Sequence, residues 1–255
     1  MRVTEIKSCY IGPEISPEQF VAEHFFLYMA KGRLNGFDGS SHYTLHPGEY
    51  CLARKNRLVR YNKELENGQI EKVILMLDEA FLKRFQERHG VTSTGHVPGD
   101  TFLQLRRDDR IHEFVAALTP PYDGENADAL RSELLRLLLE GQPSLADILF
   151  DFGVPAKINL EEFMHRNFRF NIPIQRFAYL TGRSLSAFKR DFKTTFGETP
   201  SRWLVDRRLQ EAHFLLERER KKPSDIYFEL GFENLSHFSY AFKKRFGRAP
   251  TGPMR

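Results

Sequence analysis

Two clusters of side chains, fifty residues apart, carry most of the chemistry in this sequence. The first is Ser184, Ser186, Lys189, Arg190 and Lys193; the second is Leu235, Ser236, His237, Tyr240, Lys243 and Lys244. Lysine and arginine reach phosphate oxygens or guanine edges, and serine, histidine and tyrosine hydrogen-bond to bases or phosphates. Laid on helices, each cluster gathers along one side. Small polar and basic groups on the outer side of a second helix suit a recognition helix in the major groove of DNA. An ordinary solvated face uses the same residue types, so what separates the two is the scaffold beneath.

A sparser constellation lies earlier. His42, His46 and Glu49 sit around a turn, and His24 precedes a strand. A cupin metal site sets two histidines two apart on one strand, with a glutamate a few residues on. Here the spacing is four and one ring falls beyond the strand end, so surface or hydrogen-bonded histidines are expected. The chain carries no Walker loop, nucleophile elbow, HExxH or paired-cysteine motif. No catalytic residue, metal ligand or cofactor is expected.

The scaffold under the two clusters is a repeat. Residues 173–200 align without a gap to 223–250, and ten of 28 positions are identical: the pairs Pro173/Pro223, Leu180/Leu230, Leu185/Leu235, Ser186/Ser236, Phe188/Phe238, Phe192/Phe242, Lys193/Lys243, Phe196/Phe246, Gly197/Gly247 and Pro200/Pro250. Two copies are too few for a solenoid; each is expected to be helix, tight turn, helix, over about 173–197 and 223–247. Pro173 and Pro223 suit a first helical turn, and Gly182 and Gly231 a sharp corner. Ser184 and Asn234 are N-caps, and Gly197 and Gly247 end the helices. Leu185, Phe188, Phe192 and Phe196, and likewise Leu235, Phe238, Phe242 and Phe246, form apolar stripes expected in the core. Between the copies, 200–218 reads as one helix with Leu204, Val205, Leu209, Ala212, Leu215 and Leu216 inward.

The chain has 255 residues, and its charge is uneven: residues 156–255 carry 20 Lys+Arg against 11 Asp+Glu, a net of +9, whereas the rest carries 18 against 23, a net of −5. An acidic front and a basic back imply two domains with different partners, the basic one drawn to a polyanion. The boundary is placed at Gly153-Val154-Pro155, giving domains 1–154 and 155–255. Only Cys9 and Cys51 are present, which fits a reducing cytoplasm rather than a disulfide framework. No apolar run reaches the roughly 20 residues of a membrane span, and the charged start MRVTEIKSCYIG does not read as a signal peptide.

The front reads as strands at 25–32, 42–45, 49–53, 58–64 and 70–77, separated by turn material including NGFDGS at 35–40. Helices follow: one capped by Asp78 and ending near Gly90, then 109–118 and 127–140, then a short amphipathic piece at 144–155. The expected class is α+β, a β-rich cupin or jelly-roll-like domain with flanking helices plus an all-α domain with two helix-turn-helix units. The back reads as helices at 158–167, 173–181, 184–196, 200–218, 223–230 and 235–246. Leu130, Leu134, Leu137 and Leu138, with Leu139 alongside, either pack onto the strands or pair two copies.

Residues 156–255 resemble the DNA-binding domain of the AraC/XylS family of bacterial transcription regulators. The marks are Ala178, Gly182, Ser184, Phe188, Phe192, Lys193, Gly197 and Pro200, then Arg208-Leu209, Ala212 and Leu215-Leu216, then GFENLSHFSYAFKKRFGRAP. The resemblance implies two helix-turn-helix units on a long helix, binding promoter DNA and usually activating transcription with RNA polymerase. It places base contacts on Ser186, Lys189 and Arg190, and on Leu235, Ser236 and Tyr240. The family usually has an aromatic close behind its final proline; here the tail is Pro250-Thr-Gly-Pro-Met-Arg255. The front, LHPGEYCLARKNRLVRYNKE then KVILMLDEAFLKRF, is similar to the branch containing type III secretion activators, in which a protein partner can regulate. A small-molecule or protein effector and a homodimer are the implied further partners. The alternatives are a cupin-like metal- or small-ligand-binding protein or enzyme with a helical accessory domain, and a non-specific architectural DNA binder.

Overall fold

A computed structural model describes residues 6–11, 19–93, 100–118 and 124–251. The first five residues of the charged start, and the tail after Thr251, lie outside them. The chain divides into two compact units, Met1–Gly153 and Val154–Arg255.

Unit 1 contains β1 (Ile6–Ile11), β2 (Phe20–Val21), β3 (His24–Lys31), β4 (Arg33–Phe37), β5 (His42–Leu45), β6 (Tyr50–Ala53), β7 (Arg57–Leu58), β8 (Arg60–Glu64), β9 (Ile70–Leu77) and β10 (Phe102–Gln104). Its helices are α1 (Glu79–His89), α2 (Asp109–Ala117), α3 (Gly124–Gly141) and α4 (Ala146–Leu149). One sheet runs β1-β9-β3-β6-β10, a second β5-β4-β8, and β2 pairs with β7. Among the described residues only the β1–β9 pair is parallel, with Ile6 opposite Ile70. β4 passes through Asn35-Gly36, which the turn signals had placed between strands.

Period-two alternation sends the side chains of the larger sheet to two cores. Phe26, Tyr50, Leu52, Leu75 and Leu77 face the helices, while Phe25, Leu27, Met29, Cys51, Ala53, Ile74 and Met76 face Leu34, Leu45 and Phe102. Both faces are covered, so the strands read as near-continuous apolar runs rather than as polar–apolar alternation. Asp78 caps α1 by accepting from the Phe81 N–H at 3.0 Å and also takes the guanidinium of buried Arg131 at 2.6 Å. That ion pair seats α3 on the sheet. Leu134 and Leu138, at 0% and 2% exposure, lie in the core with Leu135, and half-buried Leu130, Leu137 and Leu139 pack against it. The leucine stripe is therefore the inner face of unit 1. The pairing of two copies expected through Leu130, Leu134, Leu137 and Leu138 is corrected for Leu134 and Leu138, which their own unit takes from water; Leu130 and Leu137 are half-buried against the same core.

The front histidines go separate ways. His42 is exposed, with its ring 4.8 Å from that of Phe37. Glu49 accepts from the His46 backbone N–H and so ties its own turn. His24 is 2% exposed, and its Nδ1 accepts from the Lys55 N–H at 3.2 Å. Burial, reinforced by Lys55 and Arg54, pushes its pKa down to about 3 from 6.5. The ring is neutral in the fold and protonated in the unfolded chain below its ordinary pKa. Its contribution to stability is thus full above about pH 6.5 and lost as pH falls from there towards 3, with a slope of up to about 1.4 kcal/mol per pH unit. The urea midpoint of unit 1 is expected to fall between about pH 7 and pH 5, and His24→Asn to flatten that slope. An unchanged slope in the variant contradicts the assignment.

Unit 2 is helical: α5 (Leu160–Asn167), α6 (Ile174–Leu180), α7 (Leu185–Phe196), α8 (Pro200–Glu217), α9 (Pro223–Ile226) and α10 (Leu235–Phe246). Ser184 and Asn234 cap their helices as read from sequence, and Asn159, not read as a cap, does the same for α5. Asn159, Ser184 and Asn234 accept from the backbone N–H groups of Glu162, Ala187 and His237. Gly197 and Gly247 close α7 and α10 in the left-handed conformation, at φ 75° and 73°. Pro173 is the N-cap of α6 rather than inside its first turn, and α9 stops at Ile226 instead of running to 230.

Candidate nucleic-acid interface

Each putting-together of helix, turn and helix is built around buried phenylalanines. Phe188, Phe192 and Phe238 are at 0% exposure and Phe242 at 1%. Phe196 and Phe246 are half-buried and finish each stripe against α8: Phe196 lies 4.6 Å from the Trp203 ring and Phe246 4.6 Å from the His213 ring. Trp203 and His213 thus play matching roles ten residues apart, about 15 Å along α8 at 1.5 Å per residue. Leu235 departs from its stripe, because 39% of it is exposed.

With the aromatic sides inward, the opposite sides of α7 and α10 face solvent. Ser184, Ser186, Lys189, Arg190, Lys193, Leu235, Ser236, His237, Tyr240, Lys243 and Lys244 are all exposed. Tyr240 reaches 68%, an unusual cost for a large ring with nothing to cover it. Among the described residues, Lys189, Lys193, Lys243 and Lys244 form no ion pair. By contrast, Arg245 is tied to Asp206 and Arg248 to Glu217. These four lysines lie on the outward sides of the two helices, where a polyanion can take them up. Arg190 leans on Asp191 at 3.2 Å. The Arg183 guanidinium, ahead of Arg190 and Lys157, holds the Asp191 carboxyl below the usual range.

The corners are rigid. Gly182 and Gly231 have φ of 65° and 80°, and a Cβ on either would lie within 2.5 Å and 2.6 Å of neighbouring backbone. One buried group was not picked out by its chemistry. Arg208 of α8, 7% exposed, donates to the backbone carbonyls of Phe168, Gly231 and Phe170 at 2.7, 2.9 and 2.7 Å. Its signal in the sequence was positional: residue 208 falls between Leu204 and Ala212 on the inward side of α8.

Unit 1 holds a cavity of about 230 Å³ bounded by Leu34, Tyr43, Cys51, Phe102 and Gln104. A larger depression of about 670 Å³ runs over Phe81 and Phe85 beside Arg84 and Arg88. Burial pushes the Cys51 thiol up to about 12, so it is inert at neutral pH. Among the described residues no group of three His, Cys, Asp or Glu side chains gathers where it could hold a metal ion.

Comparison with known proteins gives both units counterparts. Residues 177–253 match the family model of a helix-turn-helix domain, and residues 24–146 that of the ExsA N-terminal regulatory domain. The chain is 34% identical over 125 residues to the virulence regulon transcriptional activator VirF of Yersinia enterocolitica, a match covering 48% of this chain and 46% of that protein. The chain thus spans about half the length of the first curated relatives it matches. Against the HTH-type transcriptional regulator ExsA of Pseudomonas aeruginosa it is 25% identical over 262 residues, covering 97% of this chain and 91% of that one. Among solved structures, an apo ToxT variant from Vibrio cholerae aligns over 92% of this chain and 89% of its own, at 15% identity and a TM-score of 0.40. No helix of the described residues is long and apolar enough to cross a membrane. The matched modules are regulatory and DNA-binding rather than enzymatic. A regulatory module in front and a helix-turn-helix module behind are thus both matched, the second over the residues that resemble the AraC/XylS family of transcription regulators.

Proposed function

We propose that this chain is a sequence-specific transcription activator that reads two successive major grooves of promoter DNA with α7 and α10. The observation that carries this reading is the two-sidedness of those helices: phenylalanines buried on one side, and ten polar, basic or aromatic side chains, with Leu235, exposed on the other. The 18 residues of α8 make a rod of about 27 Å at 1.5 Å per residue. That is comparable to the roughly 34 Å of one DNA turn, so both helices can reach one side of the duplex, with slight bending.

Ser186, Lys189, Arg190, Ser236, His237 and Tyr240 are assigned to bases, with Ser184 and Leu235 at the helix starts. Lys193, Lys243 and Lys244 are assigned to phosphates. RNA polymerase, a second copy of the chain and a cytoplasmic setting complete the reading. The second copy would pair through a surface other than the buried leucine stripe. Residues 1–154 act as the regulatory part and 155–255 as the DNA-binding part. The half-open cavity of about 230 Å³ is smaller than the roughly 300–1,000 Å³ of small-molecule sites, whereas the depression over Phe81 and Phe85 is within that range, so the effector is a small ligand or a protein partner.

Selection of bound duplexes from a randomised pool tests the reading. Binding to the selected duplex should exceed binding to a scrambled one, and the salt slope should be similar on both. A steep salt slope without sequence preference would mean a phosphate-only binder and reject it. Arg190→Ala and Tyr240→Ala are each expected to weaken specific binding by about 1–3 kcal/mol and to relax selectivity at particular base pairs. Lys244→Ala should weaken all duplexes alike. Equal effects of all three on specific and scrambled DNA would remove the base-contact assignment.

A further inference from the structure

Unit 2 contains a second connection between its helix-turn-helix motifs, separate from α8. The segment 156–170, with α5 at its centre, touches both corners. At its start, the place where a Gly182 Cβ would sit is 2.5 Å from Ala156 and Lys157 backbone, and Arg183 Nη1 donates to the Ile158 carbonyl at 3.0 Å. At its end, the corresponding place at Gly231 is 2.6 Å from the Arg169 carbonyl oxygen and 2.9 Å from Arg208 Cζ.

Arg208 closes this second joint. Its Nε donates to Phe168 O, its Nη2 to Phe170 O and its Nη1 to Gly231 O. The first acceptor is the C-cap carbonyl of α5, at a helix end where carbonyls lack partners and a cation is favoured, and the second lies two residues further on. The third is the corner that leads to α10. Burying a guanidinium against neutral carbonyls is a poor source of stability compared with a well-packed apolar side chain. What a planar fork does supply is geometry, since one rigid guanidinium on α8 holds two carbonyls of the 168–170 segment and one of the Gly231 corner at fixed positions.

We propose that α5 and Arg208 form a clamp that fixes the separation and angle of the two recognition helices before DNA is met, making Arg208 a positioning residue for two-part sites. This rests on the DNA-reading function proposed above. A pre-set spacing removes the cost of ordering on binding, and it turns engagement of the second half-site into an intramolecular step that depends on geometry. Lysine at 208 keeps the charge but, as a compact point donor, cannot span the three acceptors.

The test uses the full chain and a duplex that the wild type selects from a randomised pool, together with versions in which either half is scrambled or one base pair is added or removed between the halves. Arg208→Lys should bind each half-site as the wild type does. It should lose about tenfold on the intact site, and should no longer discriminate between spacings. Retention of the wild-type spacing preference, or equal losses on half-sites and intact site, overturns the clamp. A DNA-free measurement covers the case of a variant that does not fold. Spin labels at Thr194→Cys on α7 and Ala249→Cys just past α10, in a Cys9→Ser background, should report one narrow distance in the protein with Arg208. A broad distribution there overturns the clamp. A wild type that selects no duplex defeats the DNA reading alone, and the label distance still decides the clamp.

Discussion

Leu134→Asp is expected to unfold unit 1. The Leu134 side chain is wholly out of water, in one cluster with Phe26, Leu52, Leu75, Phe81 and Leu138. Aspartate there loses the transfer and packing energy of leucine, about 2–5 kcal/mol, and adds a carboxylate with no partner prepared for it. An unpaired buried charge adds several kcal/mol more, or forces the group to stay protonated. The sum is comparable with the 5–15 kcal/mol that holds a whole domain together. Limited proteolysis should show the front half cut and a fragment containing 154–255 surviving, and near-ultraviolet dichroism from the tyrosines of unit 1 should be lost. Sedimentation of a folded monomer with an intact front half would instead mean that this leucine serves a contact between copies. The charge partners make the point sharper: Arg131, one turn before Leu134, is buried too, but it has Asp78 at 2.6 Å and rests over the Phe81 ring at 4.3 Å. A charge survives in this core only where the fold has built its counter-charge.

How far the sequence could be read differs element by element, for physical reasons. α1, α7 and α10 were bounded at both ends because an N-cap side chain and a left-handed glycine each leave a one-residue mark. Asp78 with Gly90, Ser184 with Gly197, and Asn234 with Gly247 all sit where those marks predict. β4 was not legible, because Asn35-Gly36 is also the commonest signature of a tight hairpin. Gly36 has a different role: a Cβ there would come to 3.0 Å from the Phe102 ring, so a side chain at 36 would press that ring aside. The leucines of α3 showed periodicity but no address, since an apolar stripe looks the same whether it meets its own sheet or another copy. Arg208 was visible as a mark of the resemblance and as a charge on the inward side of α8, but not by its role, since its three acceptors come from residues 23 to 40 positions away. The outward faces of α7 and α10 were the most legible part of the site. They follow from subtracting a regular phenylalanine stripe from two capped helices, and Leu235 was the one residue that the subtraction put on both sides.

Phe238→Ala is expected to cost about 3–5 kcal/mol and to disable the second helix-turn-helix motif. Phe238 is at 0% exposure in a small core with Leu209, Ala212, Ile226, Leu230, Phe232 and Phe242. Its ring meets Phe232 edge-on at 5.1 Å and Phe242 at 5.8 Å. A nine-residue cluster has little around it that can relax into the space of a lost phenyl ring, so the cost falls at the upper end of the range. α9 has a single turn, from Pro223 to Ile226, and helices that short do not persist without tertiary contacts. Removing the ring that joins it to α10 therefore opens the motif as a unit rather than softening one contact. Amide exchange should become fast across 223–246 while the α7 amides stay protected, because Phe188 and Phe192 pack with Trp203 in a separate aromatic group. On a selected two-part duplex, footprinting should lose the half covered by α10 and keep the half covered by α7. Loss of both halves together would show that the two motifs fold as one cooperative body, and full protection of both would mean that Phe238 is not the keystone its burial implies.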